Sequence, residues 1–187
     1  MSEATLEDLI AFAERSFVRM QAQQLIGQYL EEEDQAPFDQ LLEGLILAGT
    51  GSLALLRDIV EEIRAKKSAL SLEAMNLRQT LMEALADIGI HMPQLPTSEA
   101  AEALQQIRKL AQGKDARKNL QDMGCTDEKV LQEICGDVGN RGEQISRKLK
   151  LLTDVEQSVL DWFECLTYEA ARAMDYDPGK SSLPAIH

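Results

Sequence analysis

The chain has 187 residues, long enough for one domain of ordinary size with a buried core. Apolar residues make up 44% and charged residues 27%, which excludes a collagen-like, mucin-like or wholly disordered polymer. Nineteen Lys and Arg against 32 Asp and Glu give a formal charge of −13. A surface that acidic repels phosphate as a whole, which argues against a general nucleic-acid or anionic-membrane binder.

The N-terminus, Met1 to Asp8, carries acids where a secretory leader needs basic residues and then an apolar run. A first helix is expected from near Thr5, with Leu6, Leu9, Ala13, Phe17, Met20 and Leu25 on its buried side. It should end in Glu31-Glu32-Glu33-Asp34, where acids oppose the helix macrodipole. Pro37 suits the first turn of a second helix, because its missing N–H would be unpaired there anyway. After Glu43 this helix is apolar nearly all round, so it must be central in the fold or cover a partner. The uncharged run Gly44 to Leu56 is thirteen residues long. A membrane span needs about 20, so the run reads as core. Gly49-Thr50-Gly51 breaks the helix, and Ser52 is placed to cap the next one.

From Leu53 to Ile88 apolar residues recur at three- and four-residue steps, with a break expected near Ser68 to Ser71, because serine competes for backbone bonds. Gly89 makes a C-terminal cap, and the Pro93/Pro96 segment is the clearest linker in the chain. Thr97 or Ser98 should open a helix through Leu104 and Leu110 to Gly113. A short basic helix, Lys114 to Met123, follows and stops at Gly124, and Thr126-Asp127-Glu128 starts another. Gly136, Gly139 and Gly142 recur every three residues. They read either as a smooth helical stripe or, preferred on propensity, as a loosened turn. Thr153-Asp154-Val155-Glu156 has the form of a capping box opening a final helix, which Asp175 to Gly179 stops.

No stretch alternates like a strand, so the fold class expected is all-α: a single-domain bundle of six to eight helices. The domain would span 1–178, with an N-terminal half 1–89 and a C-terminal half 97–178 joined by the linker near 90–97, and 179–187 as a tail. Cys125, Cys135 and Cys165 form no CxxC pair and read as reduced, packed thiols, which points to a cytoplasmic protein. Cys125, near a helix start, has the position in which a thiolate is stabilised, yet a packed thiol is the simpler reading.

Catalytic signatures are missing. His91 and His187 lie far in sequence from any cysteine, and Glu-x-x-His pairs for a di-iron site do not occur. Gly179-Lys180-Ser181 resembles the end of a P-loop, but Met174 holds the place of the earlier glycine. Asp175 and Asp177 begin like a calcium loop that Ile186 fails to close. Carboxylate pairs such as Glu61-Glu62 read as solvated faces. No cofactor and no metal are expected.

Charge is unevenly spread. Residues 1–50 carry 2 basic and 10 acidic side chains, whereas residues 105–150 carry 10 basic and 7 acidic. If the helices bearing Arg108, Lys109, Lys114, Arg117, Lys118, Arg147, Lys148 and Lys150 pack side by side, they make a positive patch on an acidic body. The function expected is therefore a non-enzymatic helical interaction module: an adaptor, assembly factor or small subunit of a larger cytoplasmic complex, with a protein partner or a second copy of itself. An alternative is a nucleic-acid-associated subunit that uses 105–150 inside a larger complex. Those residues hold no aromatic side chain for base stacking. A bundle with a ligand or cofactor between its helices is the third reading. No membrane role is expected.

Overall fold

In the computed structural model, which describes residues 6–91 and 98–175 and the side chains of 10–49, 52–91 and 98–172, the expected class holds: the described residues are helical and contain no strand. In order they are α1 (Leu6–Glu32), α2 (Ala36–Leu47), a 3-10 turn (Gly49–Ser52), α3 (Leu53–Asp87), α4 (Ala100–Ala111), α5 (Ala116–Asp122), α6 (Glu128–Gln132), a π segment (Glu133–Val138) and α7 (Gly139–Asp175). Because α6, the π segment and α7 run on without interruption, these amount to six continuous helical rods. No described helix is long and apolar enough to cross a membrane. The Thr5 start, the Pro93/Pro96 linker, Thr97, the Gly179-Lys180-Ser181 motif, His187 and the tail 179–187 lie outside the described residues.

Contacts gather into two compact units, divided within α3 and within α7. One comprises the described parts of Met1–Arg64 and Asp154–His187; the other is formed by the described part of Ala65–Thr153.

In the first unit, α1 buries Ala22, Ile26, Tyr29 and Leu30, and α2 buries Phe38, Leu42 and Leu45. Leu56, Ile59, Val60 and Ile63 of α3, with Val155, Val159 and Leu166 of α7, complete the interior. Each Val, Leu, Ile or Phe among these, withdrawn from water, contributes about 1.5–3 kcal/mol. Two ion pairs set α1 on α3: Arg15 makes a two-pronged bond to Asp58 at 2.7–2.9 Å, and Arg19 pairs with Glu62. Both pairs span 43 residues, so over this stretch α1 and α3 run parallel, as the short return helix α2 between them requires. Gln23 adds a bond to Glu62 at 2.7 Å, and Arg64 ties α3 to Glu156 of α7 at 2.6 Å. The bonds from Arg19 and then Gln23 hold the Glu62 carboxyl below its ordinary value.

In the second unit, Leu81 and Leu85 of α3 pack with Ile107 and Leu110 of α4, Leu120 of α5 and Leu131 of α6, around the buried Cys125. Asp127 caps α6 by accepting from the Lys129 and Val130 N–H groups. Gly113 and Gly124 adopt φ +93 and +103, left-handed turns that a side chain would strain.

Four local expectations are corrected. The break at Ser68 to Ser71 is absent, since α3 runs through and Ser71 Oγ donates to the Lys67 carbonyl one turn back at 2.8 Å. Thr153 opens no helix: it lies inside α7 and donates to the Leu149 carbonyl at 2.8 Å, so its hydroxyl serves the helix already formed. Ser52 does not cap α3. It donates backwards to the carbonyls of Leu45 and Gly49, which close α2 and the turn. The three glycines make no break between helices, but lie in one rod, with Gly139 and Gly142 pressed against α4.

Candidate interaction surfaces

The first helix was expected to bury Ala13, Phe17 and Met20, and it does the reverse. Ile10, Phe17 and Met20 are 51, 55 and 58% exposed, and Ala13 is exposed with them. At about 100° per residue these four fall on one side of α1, roughly opposite Ala22, Ile26 and Tyr29. The cause is the pairing of Arg15 with Asp58 and Arg19 with Glu62, which fixes the opposite face against α3. Phe12 is 71% exposed at the edge of the Arg15–Asp58 contact. Leu47 at the end of α2 and Trp162 and Tyr168 on α7 add exposed apolar surface to the same unit, at 89, 41 and 69%.

The basic residues are only partly assembled. Arg108 and Lys109 stand exposed in the last turn of α4, Lys114 precedes α5, and Arg117 and Lys118 stand exposed on α5. Arg117 is neutralised by Glu128. Arg147 and Lys150 are exposed on α7, and Lys148 is half-buried there. Of these eight, Arg108 and Lys150 share a cleft of about 410 Å³ between α4 and α7.

That cleft follows from the glycines. Gln112 at the end of α4 donates to the Gly139 carbonyl at the start of α7 at 2.7 Å, while Ala101 and Thr153 wall the opposite end, so the helices are antiparallel. A β-carbon on Gly142 would stand 2.6 Å from Ile107 Cγ2, and one on Gly139 would strike the Ala111 carbonyl. The bare backbone of α7 thus lets α4 approach closely, leaving a groove floored by Leu104 and Leu149. Among the described residues no carboxylate lines it.

Elsewhere the polar clefts carry charges of both signs. One lined by Arg15, Arg57, Asp58 and Glu61 contains the Arg15–Asp58 and Arg57–Glu61 pairs. Another, at Glu128, Glu133 and Asp137, is acidic on balance. Among the described residues no group of three or more His, Cys, Asp or Glu side chains is placed to hold a metal ion. Cys125 is packed in the core, Cys135 is half-buried with its thiol pushed up by burial, and Cys165 is exposed. Burial, and then the negative field of Asp154, Asp39 and Glu33, raise the Tyr29 phenol.

Comparison with protein-family models, with curated proteins and with solved structures finds no match. The surfaces themselves therefore carry the functional argument. Sequence reasoning placed Arg108 and Lys109 on α4 and Arg117 and Lys118 on α5. It began the short basic helix at Lys114, set Arg147, Lys148 and Lys150 ahead of the final helix rather than within α7, and missed the outward stripe of α1. Its signal was present: apolar residues occupy two faces of that helix, more than one buried side can use.

Proposed function

We propose that this chain is a non-enzymatic helical interaction protein, an adaptor or small subunit of a larger cytoplasmic assembly, working as one domain over residues 1–178. The observation that carries the reading is the outward stripe of Ile10, Ala13, Phe17 and Met20. Water contact with that stripe is costly, at about 25 cal/mol for each Å² of apolar surface. The steps between its members, three, four and three, are those of a helix seam that meets another helix. Because ion pairs hold the opposite face of α1 on α3, the stripe does not turn inward without breaking them. Exposed apolar patches of this kind mark contact surfaces in soluble proteins.

The test is a double substitution, Phe17→Asp with Met20→Asp, read by light scattering and by quantitative mass spectrometry of copurifying proteins. The wild-type chain is expected to form a dimer or retain a specific partner, and the variant to lose it with unchanged helical circular dichroism. A wild-type monomer without an enriched partner, or a partner kept by the variant, would overturn the reading.

A further inference from the structure

We infer that the α4/α7 groove is a second docking site, and that its occupant is an acidic amphipathic helix of a partner protein. This rests on reading the chain as an interaction protein, but it concerns a different surface from the α1 stripe.

Shape comes first. The two walls are antiparallel helices, contributing Ala101 to Gln112 and Gly142 to Thr153. Each stretch is about three turns, so the groove is roughly 16 Å long at 1.5 Å per residue. That length matches a helical segment presenting anchors at i, i+3, i+4 and i+7. Small side chains keep it concave: Ala101 on one wall, Gly142 and Ser146 on the other. Leu104 and Leu149 are half-buried beneath, offering an apolar floor that is not sealed.

Charge then selects the occupant. Arg108 rises on the α4 wall toward the Gln112 end, and Lys150 rises on the α7 wall toward the Ala101 end. Both are exposed, and neither makes a salt bridge among the described residues. Glu143 and Arg147, four apart on α7, contribute no net charge beside them. Two cations on opposite walls, about two turns apart along the groove, match carboxylates flanking the apolar face of a helix laid between them. The net charge of −13 opposes any acidic partner at long range. At physiological ionic strength that repulsion is screened beyond about 8 Å, whereas contacts with Arg108 and Lys150 lie inside this distance. At that ionic strength association is therefore governed by the groove. A nucleic-acid strand is the less favoured occupant, because the floor offers leucines and no aromatic ring on which a base stacks.

The experiment uses the full chain and a fluorescent synthetic helix of Leu, Ala and Glu with glutamates flanking a leucine stripe. Binding is followed by anisotropy at low and at physiological salt. The wild-type chain is expected to bind it at physiological salt, where the long-range repulsion is screened. Arg108→Glu with Lys150→Glu should weaken binding at least tenfold. Lys66→Glu with Lys118→Glu, which changes net charge equally away from the groove, should weaken it less than threefold. The same helix with Gln in place of Glu should bind at least tenfold more weakly.

Three results would each overturn the inference: no binding of the acidic helix, equal weakening by both double variants, or competition by oligo-dT as effective as by unlabelled acidic helix. Retained helical circular dichroism in every variant separates these outcomes from misfolding. Association through the α1 stripe is read independently with the Phe17/Met20 variant, so failure at the groove leaves that reading intact, and failure at the stripe leaves this one.

Discussion

Gly142 of α7 lies so close to Ile107 of α4 that a β-carbon on the glycine would sit 2.6 Å from the isoleucine Cγ2. Ile107 is fully buried and has nowhere to retreat. Gly142→Ala is therefore expected to lose about 1–3 kcal/mol to overpacking, less about 1 kcal/mol returned by the better helix propensity of alanine. Gly136→Ala is the contrast, because its nearest neighbour is the flexible end of Gln132 at 3.2 Å. It should be neutral or mildly stabilising. Urea denaturation of the two variants checks this, and equal stability would contradict the close approach of α4 and α7.

The glycine spacing was visible in the sequence, and so was the choice between stripe and turn; what tipped the choice was not. Propensity alone favoured the turn, but packing of Gly139 and Gly142 on Ala111 and Ile107 overrides it. The same limit applies to Ser71 and Thr153. Their hydroxyls suit caps by local rules, yet each bonds one turn back within a rod held by tertiary burial. Helical class, the α2 start at Pro37 and the α6 cap at Asp127 were legible because they depend on neighbours in sequence. The orientation of α1 was not, because Asp58 and Glu62 decide it from 43 residues away.

Loss of Arg15 leaves the Asp58 carboxylate, whose side chain is only 8% exposed, without its two-pronged partner. Arg15→Ala is expected to cost about 1–3 kcal/mol. Arg57→Ala breaks an exposed i,i+4 pair with Glu61 and should cost about 0.3–0.5 kcal/mol. Thermal denaturation of both variants makes the comparison, and an equal shift in Tm would be inconsistent with this difference in burial.

Acid should weaken the first unit through Glu62. Bonds from Arg19 and Gln23 hold its folded carboxyl below the ordinary value of 4.5, so the unfolded chain takes up the proton more readily. The stabilisation is complete above 4.5 and is lost as pH falls below it through the folded value. Glu62→Gln removes this component. Wild type should be the more stable at neutral pH, and the gap in Tm should close on acidification. A gap that stays constant with pH would count against it.

Thiol labelling should proceed in three steps. Cys165 is exposed and reacts first. Cys135 is half-buried with a raised thiol, so it follows slowly and speeds up at higher pH. Cys125, at 1% exposure, reacts only when the second unit opens, which makes its labelling rate a probe of that opening. Labelling followed by mass spectrometry gives the order, and early modification of Cys125 would contradict its place in the core.

One unit is made of a single stretch of chain and the other of two, with α7 supplying the late piece. On a ribosome, everything from Ala65 to Thr153 has been synthesised before Asp154 is added, while α1, α2 and the start of α3 still lack Val155, Val159 and Leu166. The stretch that precedes the second unit in the chain is thus among the last to find its full set of neighbours, and during that interval its apolar faces stay open to water.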